Sequence, residues 1–327
     1  MSSVTSTHDD PAARSISADP SADPVIEIRS VSKRFGKRAI LHDLNLTVAR
    51  GQTFAFLGRN GAGKTTTIRM LLGLHKPDAG TVRVLGLDPA KDAMEIRRRV
   101  GYLAEDQHMF GWMTVKQMIS FTAPFYPTWN HDWADHLAKK FDLPMKTKVK
   151  VLSKGQGVRL GLLLALAHHP RLIILDDPTL GLDPIVRKEF LRDLVAHFHG
   201  SAVTIFFSSH LLYEVEPVAD SVAILDRGSI VRHSPTEQLR DSVKQIIMPA
   251  FEFDSIGPLP GTLDVKRRGN QVAIVVDDID RAVHAVERTA ATYDVIDLNL
   301  DEIFEAYIIG KREEDGHVAS VGLERVA

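Results

Sequence analysis

Short apolar runs alternate with longer helical stretches along most of this chain, and that alternation predicts an α/β architecture. Val25-Ile26-Glu27-Ile28 and Leu44-Asn45-Leu46-Thr47-Val48 have the pattern of short strands, and Thr53-Phe54-Ala55-Phe56-Leu57 runs apolar. Thr81-Val82-Arg83-Val84-Leu85 reads as another strand, between Gly80 and Gly86. From Thr114 to Asp142 the pattern turns helical and aromatic, carrying Phe121, Phe125, Tyr126, Trp129, Trp133 and Phe141, with Pro124 and Pro127 dividing it. Apolar strands return at Leu172-Ile173-Ile174-Leu175, Val203-Thr204-Ile205-Phe206-Phe207 and Val222-Ala223-Ile224-Leu225. Continuous apolar strands separated by helical segments predict a largely parallel sheet covered by helices.

After about Gln238 the pattern restarts. Ala250-Phe251-Glu252-Phe253 and Val272-Ala273-Ile274-Val275-Val276 are expected as strands, followed by a helix opened by Asp280 and carrying Val283 and Val286. Gly257-Pro258, Pro260-Gly261 and Gly269-Asn270 mark turns between them. The expected division is a disordered leader over 1–24, a nucleotide-binding domain over 25–240 with a helical subdomain at about 110–165, a small α/β accessory domain over 241–310, and a polar tail over 311–327. No tandem repeat and no second phosphate loop is present in the sequence.

Composition narrows the partners. The 327 residues exceed one typical domain, and 40 Lys+Arg against 42 Asp+Glu leave a formal net charge of -2. No bulk positive field therefore recruits nucleic acid or an anionic membrane, and no nucleic-acid partner is expected. The chain has no cysteine, which excludes a disulfide framework and thiolate metal sites and agrees with a cytosolic location. The leader is rich in Ser, Ala, Asp and Pro and lacks the apolar segment of a signal peptide. The apolar run Leu160 to Ala167 stops at His168-His169-Pro170, far short of a bilayer span, so no direct membrane span is expected.

The chemistry enters at Gly58-Arg59-Asn60-Gly61-Ala62-Gly63-Lys64-Thr65, directly after the Thr53 to Leu57 strand and before a helical stretch. In the order strand, glycine-rich turn, helix, backbone N–H groups and a helix N-terminus converge on one anion, Lys64 adds a positive charge, and Thr65 offers a hydroxyl to a phosphate-bound Mg2+. Such a loop alone leaves GTPases, kinases, helicases and transport ATPases open. Leu152-Ser153-Lys154-Gly155-Gln156 precedes a long apolar helix, and Leu172 to Leu175 delivers Asp176-Asp177-Pro178-Thr179 at its end. Leu180-Gly181-Leu182-Asp183-Pro184 follows at once, and Ser208-Ser209-His210 closes the strand from Val203.

In that order these five segments resemble the phosphate loop, LSGGQ signature, Walker B strand, D-loop and switch histidine of ATP-binding cassette proteins. The resemblance covers roughly Val25 to Glu237 and identifies the chain as similar to the ATP-binding subunit of an ABC transporter. Gly111-Trp112-Met113-Thr114-Val115, Phe125 to Trp129, Ser208 to Glu216 and Leu300-Asp301-Glu302-Ile303-Phe304 look most like the export-type drug and antibiotic efflux group. The fold it implies is a P-loop NTPase core of mixed sheet and helices, with an antiparallel β subdomain and a helical signature subdomain.

The resemblance also implies roles. Gly58 and Asn60, Gly61, Ala62, Gly63, Lys64, Thr65 and Thr66 would cradle the phosphates of ATP, while Thr65 and Asp176 organise Mg2+. Phe35 would stack on adenine, its alternative being a core phenylalanine of the first sheet. His210 would contact the γ-phosphate, and Ser153, Gly155 and Gln156 would cap ATP held by a second cassette, in a homodimer or with a related chain. The aromatic region from Phe110 to Trp133 would either grip a separate transmembrane permease subunit or form ordinary helical-domain core. Attached in that way, the chain would sit on the inner face of the cell membrane.

Three departures from the family pattern stand out. Asp177 replaces the usual catalytic Glu, and a shift of roughly 1 Å in a reacting group can cost on the order of 100-fold in rate, so slow hydrolysis is expected. In Gly101-Tyr102-Leu103-Ala104-Glu105-Asp106-Gln107, Glu105 takes the place of the metal-sensing glutamine by alignment, and Gln107 competes with it. Lys154 replaces a signature glycine. Two other functions stay open at this point: a soluble cassette ATPase without a transport role, and an ATP-gated binding module of very slow turnover.

Overall fold

The computed structural model describes residues 23–180, 182–183, 187, 202–209, 217–289 and 291–310. Strands β1 (Ile26–Phe35), β2 (Arg38–Val48) and β4 (Ala79–Val84) form an antiparallel sheet in the order β2-β1-β4. β3 (Thr53–Gly58), β5 (Val100–Leu103), β6 (Leu172–Asp176), β7 (Thr204–Ser209), β8 (Ser221–Asp226) and β9 (Ser229–Pro235) form the central sheet in the order β5-β6-β7-β3-β8-β9. All its pairings are parallel except β8 with β9. β6 and β7 are buried along their whole length, which is why their sequences run apolar instead of alternating. Phe54, Phe56 and Phe206 pack in the layer between the two sheets. The expected mixed architecture is therefore the one observed.

The helical subdomain hangs on three capped helices. Thr114 and Gln117 form a capping box at the start of α3 (Val115–Thr122), Asn130 caps α4 (His131–Lys140), and Ser153 with Gln156 forms a second box at α5 (Lys154–Leu166). Pro124 sits in the single 3-10 turn that ends α3, as its missing N–H requires. Ile119, Leu137, Phe141 and Leu163 join these helices to one buried cluster. The rings divide: Trp129 and Trp133 pack against that cluster, while Phe121 and Phe125 stay exposed.

Past β9 the helix Thr236–Ser242 leads into β10 (Lys244–Pro249), helix Ala250–Ile256, β11 (Thr262–Arg268), β12 (Gln271–Val276), helix Ile279–Glu287 and β13 (Asp294–Asp297). The strand order β11-β12-β10-β13, all antiparallel, makes this a split βαβ module with both helices on one face. Ala250 to Phe253 is a correction to the sequence reading: it is helical, and the strand lies just before it. Two phenylalanines two apart would share one face of a strand, but here Phe253 is 8 % exposed and Phe251 70 %. Pro249 sits at the helix start and ends the β10 ladder. Asp278 caps the next helix through Arg281 N (3.1 Å), two residues before the expected opening.

The chain then folds back. Leu300 and Ile303 of helix Leu300–Glu305, with Tyr307 and Ile308 beyond it, are buried in the cluster that also holds Leu239, Val243 and the signature-helix residues. Among the described residues no helix is long and apolar enough to cross a membrane.

Candidate functional site

β3 ends at Gly58 and α1 (Lys64–Leu71) begins at Lys64, so five residues make the turn from sheet to helix. Gly61 (φ 82°) and Gly63 (φ 118°) hold left-handed backbone there. The φ of Gly63 favours glycine whatever the space, and a Cβ there would also stand 2.6 Å from Leu41 Cδ2, so the buried Leu41 would have to shift. No side chain caps α1, which leaves the start of the helix facing the loop. Lys64 is only 5 % exposed; its Nζ donates to Gly58 O (2.9 Å) and lies 3.3 Å from Asp177 Oδ2.

The parallel register of β6 and β7 sets Asp176 opposite Ser208. Ser208 Oγ donates to Asp176 Oδ1 (2.8 Å) and accepts from Asp177 N (3.0 Å), so one hydroxyl holds both acidic positions. Thr65 Oγ1 donates to the same Asp176 oxygen at 3.3 Å. Asp177 itself is in the left-handed region, φ 42°, which a non-glycine residue adopts only at a cost. Burial, with Asp177 nearby, pushes the Asp176 carboxyl up against the hydrogen bonds from Ser208 and Thr65. Burial likewise raises Glu105, and the charges of Asp177 and Asp176 raise it further. Tyr102 is pushed up to about 12 by burial and then by Asp176. Negative charge is thus crowded around one lysine.

A cavity of about 320 Å³ opens between these groups, lined by Asn60, Gly61, Gly63, Lys64, Thr65 and Thr66 on the loop side and by Glu105 and Asp177 opposite. Arg38, Ile40 and Arg59 complete it. The residues present suit Mg2+ arriving on a phosphate. Thr65 and Asp176 offer oxygens, yet among the described residues no three acids or histidines make a cage, so the remaining ligands would come from phosphate and water.

Gly58 and Ala62, expected to help cradle phosphate, do not line the cavity, and both are buried. Phe35 is 46 % exposed at the end of β1, paired in register with Arg38, with Lys33 over its ring and His75 at its edge. It is not a core residue. Glu105 lines the cavity, whereas the Gln107 Oε1 atom is buried 2.5 Å from where a Cβ on Gly161 would stand, against α5. Ser153, Gly155 and Gln156 do not reach this cavity; Ser153 and Gln156 cap each other at the α5 N-terminus. His210 lies outside the described residues.

Ser208, Arg38, Ile40 and Arg59 were not expected as site residues. Ser208 was legible in principle, because it sits one residue from the end of a buried strand that must neighbour the one carrying Asp176. Arg38 and Ile40 were not, since they come from β2 of the other sheet.

The family model that describes the ABC transporter matches residues 41–180. The bacitracin transport ATP-binding protein BcrA of Bacillus licheniformis is 38% identical over 244 residues, covering 70% of this chain and 80% of that protein. The daunorubicin resistance ATP-binding protein DrrA3 of Streptomyces coeruleorubidus is 30% identical over 302 residues, 86% of this chain and 95% of its own length. Among solved structures, an ATP-binding subunit of an ABC transporter superposes with a TM-score of 0.61 at 26% identity, over 66% of this chain and 92% of that one.

Proposed function

The chain belongs to the family of ABC transporter ATP-binding proteins, and from that premise we propose that it hydrolyses Mg-ATP to energise efflux of a drug, an antibiotic or a lipid-like compound through a separate membrane subunit. The observation that carries the ATPase reading is the meeting of Lys64 and Thr65 at the start of α1 with Asp176 and Asp177 at the end of β6, where Lys64, Thr65 and Asp177 line one cavity and Thr65 ties Asp176 to it. The efflux reading rests on the relatives, one a bacitracin transport protein and the other a daunorubicin resistance protein.

Phosphoryl transfer needs positioning and charge neutralisation more than covalent chemistry. The loop amides and Lys64 take the β- and γ-phosphates, which draws Lys64 away from Gly58 O and Asp177. The released Asp177 carboxylate then orients the attacking water and takes its proton. Glu105 faces the same water from across the cavity, and His210 contacts the γ-phosphate. Thr65 and Asp176 would hold Mg2+, which when bound neutralises phosphate charge. Phe35 and the neighbouring Arg38 receive the adenine end. Ser153, Gly155 and Gln156, remote from this cavity, cap the ATP of a second cassette, so each site is completed by a partner chain and ATP closes the dimer.

Phe110, Trp112, Phe121 and Phe125 form a contiguous exposed surface on the helical subdomain, with Phe110 and Phe121 edge to face at 5.3 Å and Phe121 and Phe125 at 5.5 Å. Exposed rings in contact mark an interaction surface, and we assign it to the permease, which holds the cassette at the inner face of the membrane. The test of the ATPase reading is turnover in Mg-ATP by the chain with its membrane partner: Lys64→Ala is expected to lose at least about 100-fold, and unchanged turnover would overturn the reading. The slow-turnover binding module is the second reading, favoured by Asp177; it would stand if ATP closed the dimer with no phosphate released.

A further inference from the structure

The C-terminal module holds a second cavity, of about 420 Å³, that no step of ATP handling uses. It lies on the sheet face away from the module's own core, under the helix Leu300–Glu305. Ile247, Ala273 and Val275 give it an apolar floor. Strand periodicity places Lys266 and Arg268 together along β11, with the buried Asp264 two residues before them. The helix supplies Glu302 and Glu305. The cavity is therefore apolar in the middle, cationic along one strand and anionic along one helix.

Only part of this charge is paired within the protein. Lys266 lies 3.1 Å from Asp264, whose hydrogen bond keeps the ammonium charged, but 3.9 Å from Glu305, the outer limit of an ion pair. Arg268 makes no side-chain hydrogen bond or ion pair among the described residues. Glu302 lines the cavity and accepts from Asn299 N through one carboxylate oxygen.

A simple anion placed here would meet Asp264, Glu302 and Glu305, and a simple cation would meet Lys266 and Arg268. A neutral apolar molecule would strip water from both sets with nothing in return. A ligand with opposite charges at its two ends and an apolar body meets each requirement, and the volume is that of a small-molecule site. We propose that this cavity binds a small zwitterion with an apolar side chain, an amino acid or dipeptide, with its carboxylate on Lys266 and Arg268, its ammonium at Glu302 and Glu305, and its side chain on Ile247, Ala273 and Val275.

The experiment is calorimetric titration of the full chain with leucine and with the Leu-Leu dipeptide, beside N-acetyl-leucine (anion only) and leucine amide (cation only). At least one zwitterion is expected to bind, with each singly charged analogue at least about tenfold weaker, and the tighter of the two zwitterions sets the ligand's length. Arg268→Gln alters an exposed side chain and is expected to weaken binding by about tenfold or more, while Ala273→Phe fills the floor and abolishes it. Circular dichroism and ATP affinity unchanged from the parent show that both variants are folded. Heat from neither zwitterion, equal binding of the singly charged analogues, or binding indifferent to both substitutions would overturn the proposal.

Discussion

Lys64 Nζ and Asp177 Oδ2 lie 3.3 Å apart with both side chains buried, so the cation proposed to hold phosphate is paired to the acid proposed to handle water. On the proposed mechanism, that pairing and a side chain one methylene shorter than glutamate both limit how far Asp177 reaches toward a bound phosphate. Asp177→Glu adds one methylene of reach. We expect it to raise turnover by about 10- to 100-fold with little change in ATP affinity, measured as phosphate release by the chain with its membrane partner. No gain would overturn the expectation that the shorter acid limits turnover.

Ser208 supports both acids, and Ser208→Ala removes its two hydrogen bonds at once. The buried Asp177 N–H and one Asp176 oxygen lose that partner, which is expected to cost about 1–3 kcal/mol in denaturant unfolding. The same variant is expected to need a higher Mg2+ concentration for half-maximal activity, because Asp176 loses an anchor. A shift in stability without a shift in the Mg2+ titration would separate packing from metal positioning.

His168 sets a pH limit on stability. Its ring is buried and stacks on Tyr126 at 4.0 Å, neither ring nitrogen has a well-formed hydrogen bond although backbone groups of Val100 and Leu164 lie near, and burial lowers its pKa from 6.5 to about 4. The folded protein keeps this ring neutral down to about pH 4, whereas the unfolded chain takes up a proton near 6.5. The unfolded state therefore binds more protons between those values, and stability falls as pH drops through that window while staying flat above it. The loss from this residue is about 3 kcal/mol when complete. His168→Phe keeps the stack on Tyr126 and is expected to flatten that part of the profile, leaving the smaller contribution of His233, whose pKa burial also lowers.

The exposed rings give a test that bypasses nucleotide. Trp112 is 65 % exposed, and Trp112→Glu together with Phe125→Glu places charge on the surface without touching the core. The doubly substituted chain is expected to bind ATP as before but to lose its membrane partner in pull-downs from native membranes. Retention of that partner would move the docking surface elsewhere.

How much of this was legible in the sequence depended on whether contacts were local. The loop from Gly58 to Thr65 carries its own chemistry, and the apolar runs of β3, β6, β7 and β8 left little choice but a buried parallel sheet. Ser153 and Gln156 announced a helix start by their spacing. Which of Glu105 and Gln107 lines the cavity was not legible, because Gly161, a residue of another element, makes room for the glutamine. Ala250 to Phe253 misled because two apolar residues two apart fit a strand, while the fold used Pro249 to stop the strand and needed only one of the two rings. The meeting of β11 with the helix Leu300–Glu305 joins residues nearly forty positions apart, which no local period encodes.

The helix Leu300–Glu305 turns Leu300 and Ile303 into the buried cluster of the ATPase domain and Glu302 and Glu305 toward the module's cavity. Deleting the C-terminal module would therefore bare the residues beneath that helix and leave Leu239 and Val243 without their cover. A shortened chain of this kind would be prone to aggregate rather than act as a minimal cassette, and swapping this module between relatives demands that the seam be redesigned along with it.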